Sequence, residues 1–274
     1  MDETSEEGRE APEKPGEPTG AGVNAPSLRV GAVSYTNALP LVAYLHLTCP
    51  QARIERMVPA LLGERMHEGR LDVALLSSIE LLRHPDYGFV PGLGICSDGP
   101  VRSVCLFTQR PVQEIRTVAL DRNSLTSIIL LKILFDRLWH RSPAWTWYTP
   151  PVKNGLAVAD AAMSIGDSSL DPACADFEFI DLGVSWKELT GLPFVYALWV
   201  TRPNLDAASF AEPFAEAKNL GLQRVDELAE STARQYHSNP GMFRDYFTRC
   251  IQYELGEREQ QGLDLYFQYA RYYM

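Results

Sequence analysis

Four short apolar runs, each giving way to small polar residues just where a helical stretch begins, limit what this chain can fold into. The first is Leu28-Arg29-Val30-Gly31-Ala32-Val33. It is followed by Ser34-Tyr35-Thr36-Asn37-Ala38 and a helix over Leu39 to Leu47, with Pro40 in the first turn, where a missing N–H costs nothing. The run Leu71 to Leu76 hands over at Ser77-Ser78 to a short helix, Ile79 to Arg83. Thr117 to Asp121 leads through Arg122-Asn123-Ser124-Leu125-Thr126-Ser127 into an apolar helix, Ile128 to Trp139, and Ala161 to Ile165 ends in Gly166-Asp167. Strands alternating with helices in this rhythm build parallel sheets. Such sheets take ligands at the carboxyl ends of their strands, where free N–H groups and helix dipoles converge.

Each polar turn carries a site reading and a plainer one. Asn37 either faces a ligand or caps the following helix. One hydroxyl of Ser77 and Ser78 faces a ligand, serine being a favoured cap as well. In Ser97-Asp98-Gly99-Pro100-Val101-Arg102-Ser103 the Asp-Gly-Pro step is a turn, and Arg102 is either a solvated charge or the partner of a carboxylate. Ser124, Thr126 and Ser127 bring side-chain and backbone donors together as an anion cradle, although capping alone needs only one of them. Gly166 lets a ligand approach the backbone closely, and Asp167 caps the next turn, orients a hydroxyl or accepts a proton.

Composition removes several alternatives. The net charge is −10, but residues 1–26 hold seven acids and two bases, so the body is only mildly acidic and shows no basic run for nucleic acid. That tail is rich in Glu, Pro and Gly and, Met1 apart, has nothing apolar larger than Val23, so it is expected to be disordered; it is not a signal peptide. No apolar stretch is long enough to span a bilayer. The five cysteines are scattered without a C-x-x-C pair, which argues against a disulfide framework or cysteine zinc site and for a cytoplasmic protein. The common nucleotide, hydrolase and zinc motifs are absent. All five histidines lie away from the polar turns, so no His-centred acid–base or metal site is expected.

Two α/β units imply two lobes facing each other across a cleft, with the strong strand Phe194 to Val200 crossing back and the C-terminal helices completing the first lobe. The expected division is 27–110 with 198–274 for one lobe and 111–197 for the other. From Ala207 onward the pattern reads as helical to the end.

Five stretches carry a family resemblance: Val33 to Leu41, Asp98 to Ser103, Leu125-Thr126-Ser127, Ile165-Gly166-Asp167 and Trp186 to Phe194. In order and in register, they resemble the signatures of the chorismate dehydratases of the futalosine route to menaquinone. The resemblance implies an α/β fold of the two-lobed, type II periplasmic-binding-protein kind, a cytoplasmic carbon–oxygen lyase and no cofactor. The implied reaction converts chorismate to 3-[(1-carboxyvinyl)oxy]benzoate and water. It points to Asn37, Ser103 and Asp167 as the catalytic set, with Ser34, Tyr35, Ser77, Ser97, Asp98, Gly99, Arg102, Ser124, Thr126, Ser127 and Gly166 binding substrate. Asp167, Asp98 and the substrate's own enolpyruvyl carboxylate stay open as proton acceptors. The alternatives are a cytoplasmic small-anion binding protein and the sister enzyme 1,4-dihydroxy-6-naphthoate synthase. The latter resembles Ser-Pro-Cys-Pro-Asn-Asp at its start and relies on a histidine; neither feature is in place here.

Overall fold

The computed structural model describes residues 27–274; the expected disorder of the acidic tail falls outside the described residues. Eleven strands follow in chain order: β1 Leu28–Val33, β2 Ala52–Met57, β3 Val73–Ser77, β4 Gly88–Ser97, β5 Val104–Thr108, β6 Thr117–Asp121, β7 Ala144–Tyr148, β8 Ala161–Ile165, β9 Glu178–Asp181, β10 Phe194–Thr201 and β11 Gln252–Glu254. They form two sheets, β2-β1-β3-β10-β4-β11 and β7-β6-β8-β5-β9. β1 is parallel to β2 and β3, and β6 to β7 and β8, as alternating strands and helices require. β10 runs antiparallel between β3 and β4, so the chain does cross back into the first sheet.

Sheet pairing moves the lobe crossings from the expected positions 110 and 197. β5 pairs with β8 and β9 in the second sheet, and all of β10 pairs in the first, so the chain crosses over 98–103 and again between β9 and β10. The reason is physical: β5 and β10 are buried along their whole length, and a continuous apolar run says nothing about which sheet it joins. Two strands were also not expected. β9 is four residues long, and β11 alternates exposed, buried, exposed over three residues, after a π-helical turn Tyr246–Cys250 ends what had read as one helix.

Three helices join the lobes. Leu125–Arg137 is apolar nearly all round and carries nine buried residues, Leu182–Thr190 follows β9, and Glu257–Ala270 packs against both. Trp186 is the pin between them: it is fully buried, donates its indole N–H to Pro193 O at 3.1 Å, and meets Phe194 and Tyr266 edge-on. The main core therefore runs through both lobes. A smaller cluster around Phe107, Tyr148 and Leu156 covers the other face of the second sheet. Among the described residues no helix is long and apolar enough to cross a membrane.

The first sheet is pinned at one end by Asp72. Its carboxylate accepts Arg29 N–H, Nε and Nη2 at 2.9, 3.0 and 2.7 Å and Arg202 Nε at 2.9 Å, tying β1 to the end of β10. The hydrogen bonds from the Arg29 side chain, with smaller help from Arg202, hold its carboxyl well below the usual carboxylate range. A carboxylate depressed in the folded state stabilises the fold above its unfolded value and loses that contribution as pH falls through the folded one. Asp72→Asn is thus expected to cost about 1–3 kcal/mol near pH 7. The gap to the parent should narrow below about pH 4. Thermal melts across pH check this; equal melting temperatures at pH 7 would contradict it.

Candidate active site

The lobes meet where β1 and β3 of the first sheet face β8 and the start of Leu125–Arg137. The cavity between them is lined by Tyr35 and Asn37 after β1, Ser77 at the end of β3, Ser124 and Ser127 at the helix start, and Gly166 after β8. Six of the sequence-predicted residues therefore share one cavity. Its remaining walls are Val33, Pro59, Ile95, Val101, Val104, Ile165, Tyr196 and Ala197, so no charged side chain lines it. Carboxylates can be held there only by hydroxyls, an amide and backbone N–H groups.

Asn37 does not cap a helix. It sits inside the short 3-10 turn Thr36–Ala38, and neither that turn nor the helix Leu39–Val42 has a side-chain cap. Its Oδ1 is buried without a hydrogen-bond partner. An unpartnered buried amide oxygen costs about 1–3 kcal/mol and marks a place where an external donor would be accommodated. Ser124 does cap its helix: its Oγ accepts from Ser127 N–H at 3.3 Å and lies 3.1 Å from Ser127 Oγ. The two hydroxyls thus stand beside the open N–H groups of a 13-residue helix, whose dipole favours a negative group.

Other predicted residues hold the lobes rather than line the cavity. Asp167 accepts Thr36 N–H at 2.9 Å on Oδ1 and the Tyr236 hydroxyl at 2.7 Å on Oδ2, both from the first lobe. Burial, then the carboxylate of Asp167, pushes the Tyr236 hydroxyl up to about 12, so it remains a donor. Thr126 Oγ1 accepts Ile79 N–H at 3.1 Å, and Thr126 O accepts from Tyr266. Gly166 N–H donates to Ser103 O at 2.7 Å. Ser103 is fully buried between the wall residues Val101 and Val104, and its Oγ has no partner.

Ser97, Asp98, Gly99 and Arg102 lie at or beside the first crossing. Ser97 Oγ donates to Gly99 O at 3.0 Å and lies 3.2 Å from the Tyr196 hydroxyl. Asp98 is ion-paired with Lys187 and Arg258, and the Lys187 hydrogen bond holds its carboxyl below the usual range. Arg102 is exposed, and its backbone N–H donates to Asp181, which also accepts Val101, Gly183 and Val184 N–H and so ties both crossings together. Ser34 is exposed, with its N–H on Met57 O.

Sequence reasoning missed Tyr196 and Tyr236. Tyr196 stands in a bulge where β10 shifts register against β4, and bulges re-aim side chains next to sites. No pattern in a wholly buried strand reveals that. Burial, with the carboxylates of Asp121 and Asp167, raises the Tyr35 hydroxyl, so it too stays protonated and able to donate. The histidines need correction. His67 and His84 line a second, outer cavity of about 290 Å³ together with Ser77, Glu80, Arg122 and Asn123, because the helices Pro59–His67 and Ile79–Arg83 converge beside β3. Among the described residues no group of three His, Cys, Asp or Glu side chains is arranged to hold a metal ion.

The inner cavity measures about 50 Å³. A cavity that takes one benzene measures roughly 150 Å³. As it stands the space is too small for a ring, which enters only if the lining residues or the lobes move apart.

Comparison with known proteins matches this architecture. The fold resembles that of a protein from Archaeoglobus fulgidus, with a TM-score of 0.71 at 16% identity over 90% of this chain and 97% of that one. It also resembles the alkanesulfonate-binding protein SsuA of Xanthomonas axonopodis pv. citri, at TM-score 0.61 and 16% identity over 89% and 93% of the two chains. A Candida albicans protein described as having the generic periplasmic binding protein fold aligns at TM-score 0.62 and 12% identity, over 90% and 91%. This chain has that two-lobed fold. In sequence it is 29% identical over 253 residues to a chorismate dehydratase of Thermus thermophilus, covering 85% of this chain and 92% of the relative. A chorismate dehydratase of Campylobacter jejuni is 32% identical over 174 residues, 61% and 64% of the two chains. The menaquinone biosynthesis family model matches residues 28–272, and the chain belongs to that family.

Proposed function

We propose that this chain is a cytoplasmic chorismate dehydratase, a hydro-lyase that converts chorismate to 3-[(1-carboxyvinyl)oxy]benzoate and water on the way to menaquinone. The observation that carries the reading is Asn37, whose amide oxygen is buried without a partner in a cavity built of hydroxyls and a helix N-terminus. The relatives named above supply the substrate and the reaction.

In this reaction the C–H bond beside the ether oxygen breaks, its electron pair becomes a ring double bond, and the neighbouring C–OH bond breaks. Proton and hydroxide leave as water, and the ring becomes aromatic. The leaving proton is acidified through the conjugated ring carboxylate, so donors on that carboxylate stabilise the charge that develops there. Ser124, Ser127 and the helix N–H groups suit that task. The Asn37 amide suits the departing hydroxyl, because its NH₂ can donate and its free Oδ1 can accept.

What the carboxylates already hold supports one reading of the proton acceptor. Asp98 is tied into ion pairs, and both oxygens of Asp167 already accept from the first lobe. No carboxylate or histidine lines the inner cavity. The acceptor favoured here is the substrate's own enolpyruvyl carboxylate, carried on the oxygen next to the proton that leaves.

On this reading Asp167 closes the lobes over the substrate and is a positioning residue. Tyr236→Phe is expected to raise KM about tenfold with a smaller change in kcat, because one hydrogen bond to a charged group is lost from the closed state. Asp167→Ala should show the same pattern more strongly. A collapse of kcat in Asp167→Ala with KM intact, and no effect of Tyr236→Phe, would instead make Asp167 the base.

The direct test of the activity is purified protein with chorismate, with and without a metal chelator, followed by appearance of the aromatic enol ether. Turnover unaffected by chelator is expected. Chorismate that is bound but unchanged would favour a binding protein, and turnover abolished by chelator would end the cofactor-free reading.

A further inference from the structure

A third concavity, of about 460 Å³, lies at the far end of the helix whose N-terminus enters the cleft. One wall comes from the second lobe: Lys132, Phe135 and Arg137 on the helix, then Arg141 and Trp145. The other comes from Tyr272 and Tyr273, which follow the helix Glu257–Ala270 of the first lobe. None of the three cations is salt-bridged to a carboxylate of the described residues, and the one acid in the wall, Asp136, takes the Tyr273 hydroxyl. The negative end of the helix gives a reason for one cation there but not for three, on a chain whose net charge is −10.

Arg137 makes the case specific. Its guanidinium carbon lies 4.0 Å from the centre of the Tyr269 ring and 5.9 Å from that of Tyr272, so aromatic faces hold it in place. Its Nε is buried with no hydrogen-bond partner, while the guanidinium also faces the Tyr273 hydroxyl. A buried donor left unpaired costs free energy that an acceptor would recover. Beside it, Trp145 and Tyr272 are 37% and 78% exposed and offer ring faces to a ligand.

We propose that this seam binds an aromatic carboxylate, with the carboxylate on Arg137, Arg141 and Lys132 and the ring against Trp145 and Tyr272. Arginine forks match a carboxylate in a bidentate manner, which fits the donor set. The concavity is far larger than an inorganic ion needs, and the negative helix end disfavours a multiply charged one. The ligand would touch both lobes. The site is separate from the cleft and does not depend on the reaction read there.

The test is calorimetric titration of the full chain with benzoate, with cyclohexanecarboxylate and inorganic phosphate in parallel. Benzoate is expected to bind the parent and Asn37→Asp equally, and to bind a Lys132→Gln, Arg141→Gln double variant about tenfold more weakly. Both substituted side chains are outside the core, and Arg137 is left in place because it packs on Tyr269. Cyclohexanecarboxylate should bind less well than benzoate. No benzoate binding, binding that survives the double substitution, binding lost in Asn37→Asp, or phosphate binding as well as benzoate would each overturn the proposal.

Discussion

Asn37→Asp is expected to fold and to lose about 10²–10³-fold of its chorismate turnover, the loss typical when one donor is removed from a developing charge. Aspartate keeps the size of asparagine but loses the NH₂ donor when ionised. It also brings a negative charge next to a dianion in a cavity that no cation lines. A structural role for Asn37 predicts something different. The turn Thr36–Ala38 has no side-chain cap, so no helix-capping energy is at stake. Asn37→Ala should therefore melt no lower than the parent while losing turnover to a similar extent. Loss of stability in step with loss of activity would return Asn37 to a structural part, and an Asn37→Asp protein as active as the parent would remove it from the site.

Gly166→Ala is expected to be nearly as damaging by a different route. Gly166 has φ +59° and ψ −143°, a conformation that a side chain adopts only under strain. A Cβ there would come within 2.7–2.8 Å of three carbons of the Tyr35 ring, closer than real contacts allow. Tyr35 cannot yield freely, because it packs against the core and lies next to Thr36, which is held by Asp167. Either the ring moves or the lobes part. A displacement of about 1 Å in a catalytic arrangement costs on the order of 10²-fold. Steady-state kinetics and a thermal melt of Gly166→Ala check this, and kinetics like the parent's would show that the close approach of the lobes does not matter for turnover.

How far the sequence led can be judged from these residues. Turns with small polar residues at strand ends pointed to Asn37, Ser77, Ser124, Ser127 and Gly166, because strand period and helix start are local properties; Tyr35 came from the family resemblance. What local pattern cannot carry is pairing. The sheet that β5 joins depends on partners 53–61 residues away in β8, and the side Tyr196 faces depends on a bulge against β4. The clamp of Asp167 by Tyr236 spans 69 residues and the two lobes, and nothing near either residue announces it. His67 and His84 looked unconnected for the same reason, since two helices bring them to the mouth of the cleft. β11 was hidden because three residues are too few to show a period.

The central claim is that the substrate sits between the lobes against Asn37 and the start of Leu125–Arg137. The most direct measurement is a crystal structure of the protein with the aromatic product bound. An enlarged inner cavity holding the product is expected, with the ring carboxylate on Ser124, Ser127 and the helix N–H groups and the Asn37 amide within hydrogen-bond reach of the product's ether or carboxylate oxygens. Product bound elsewhere, with the inner cavity still closed and Asn37 Oδ1 still without a partner, would contradict it.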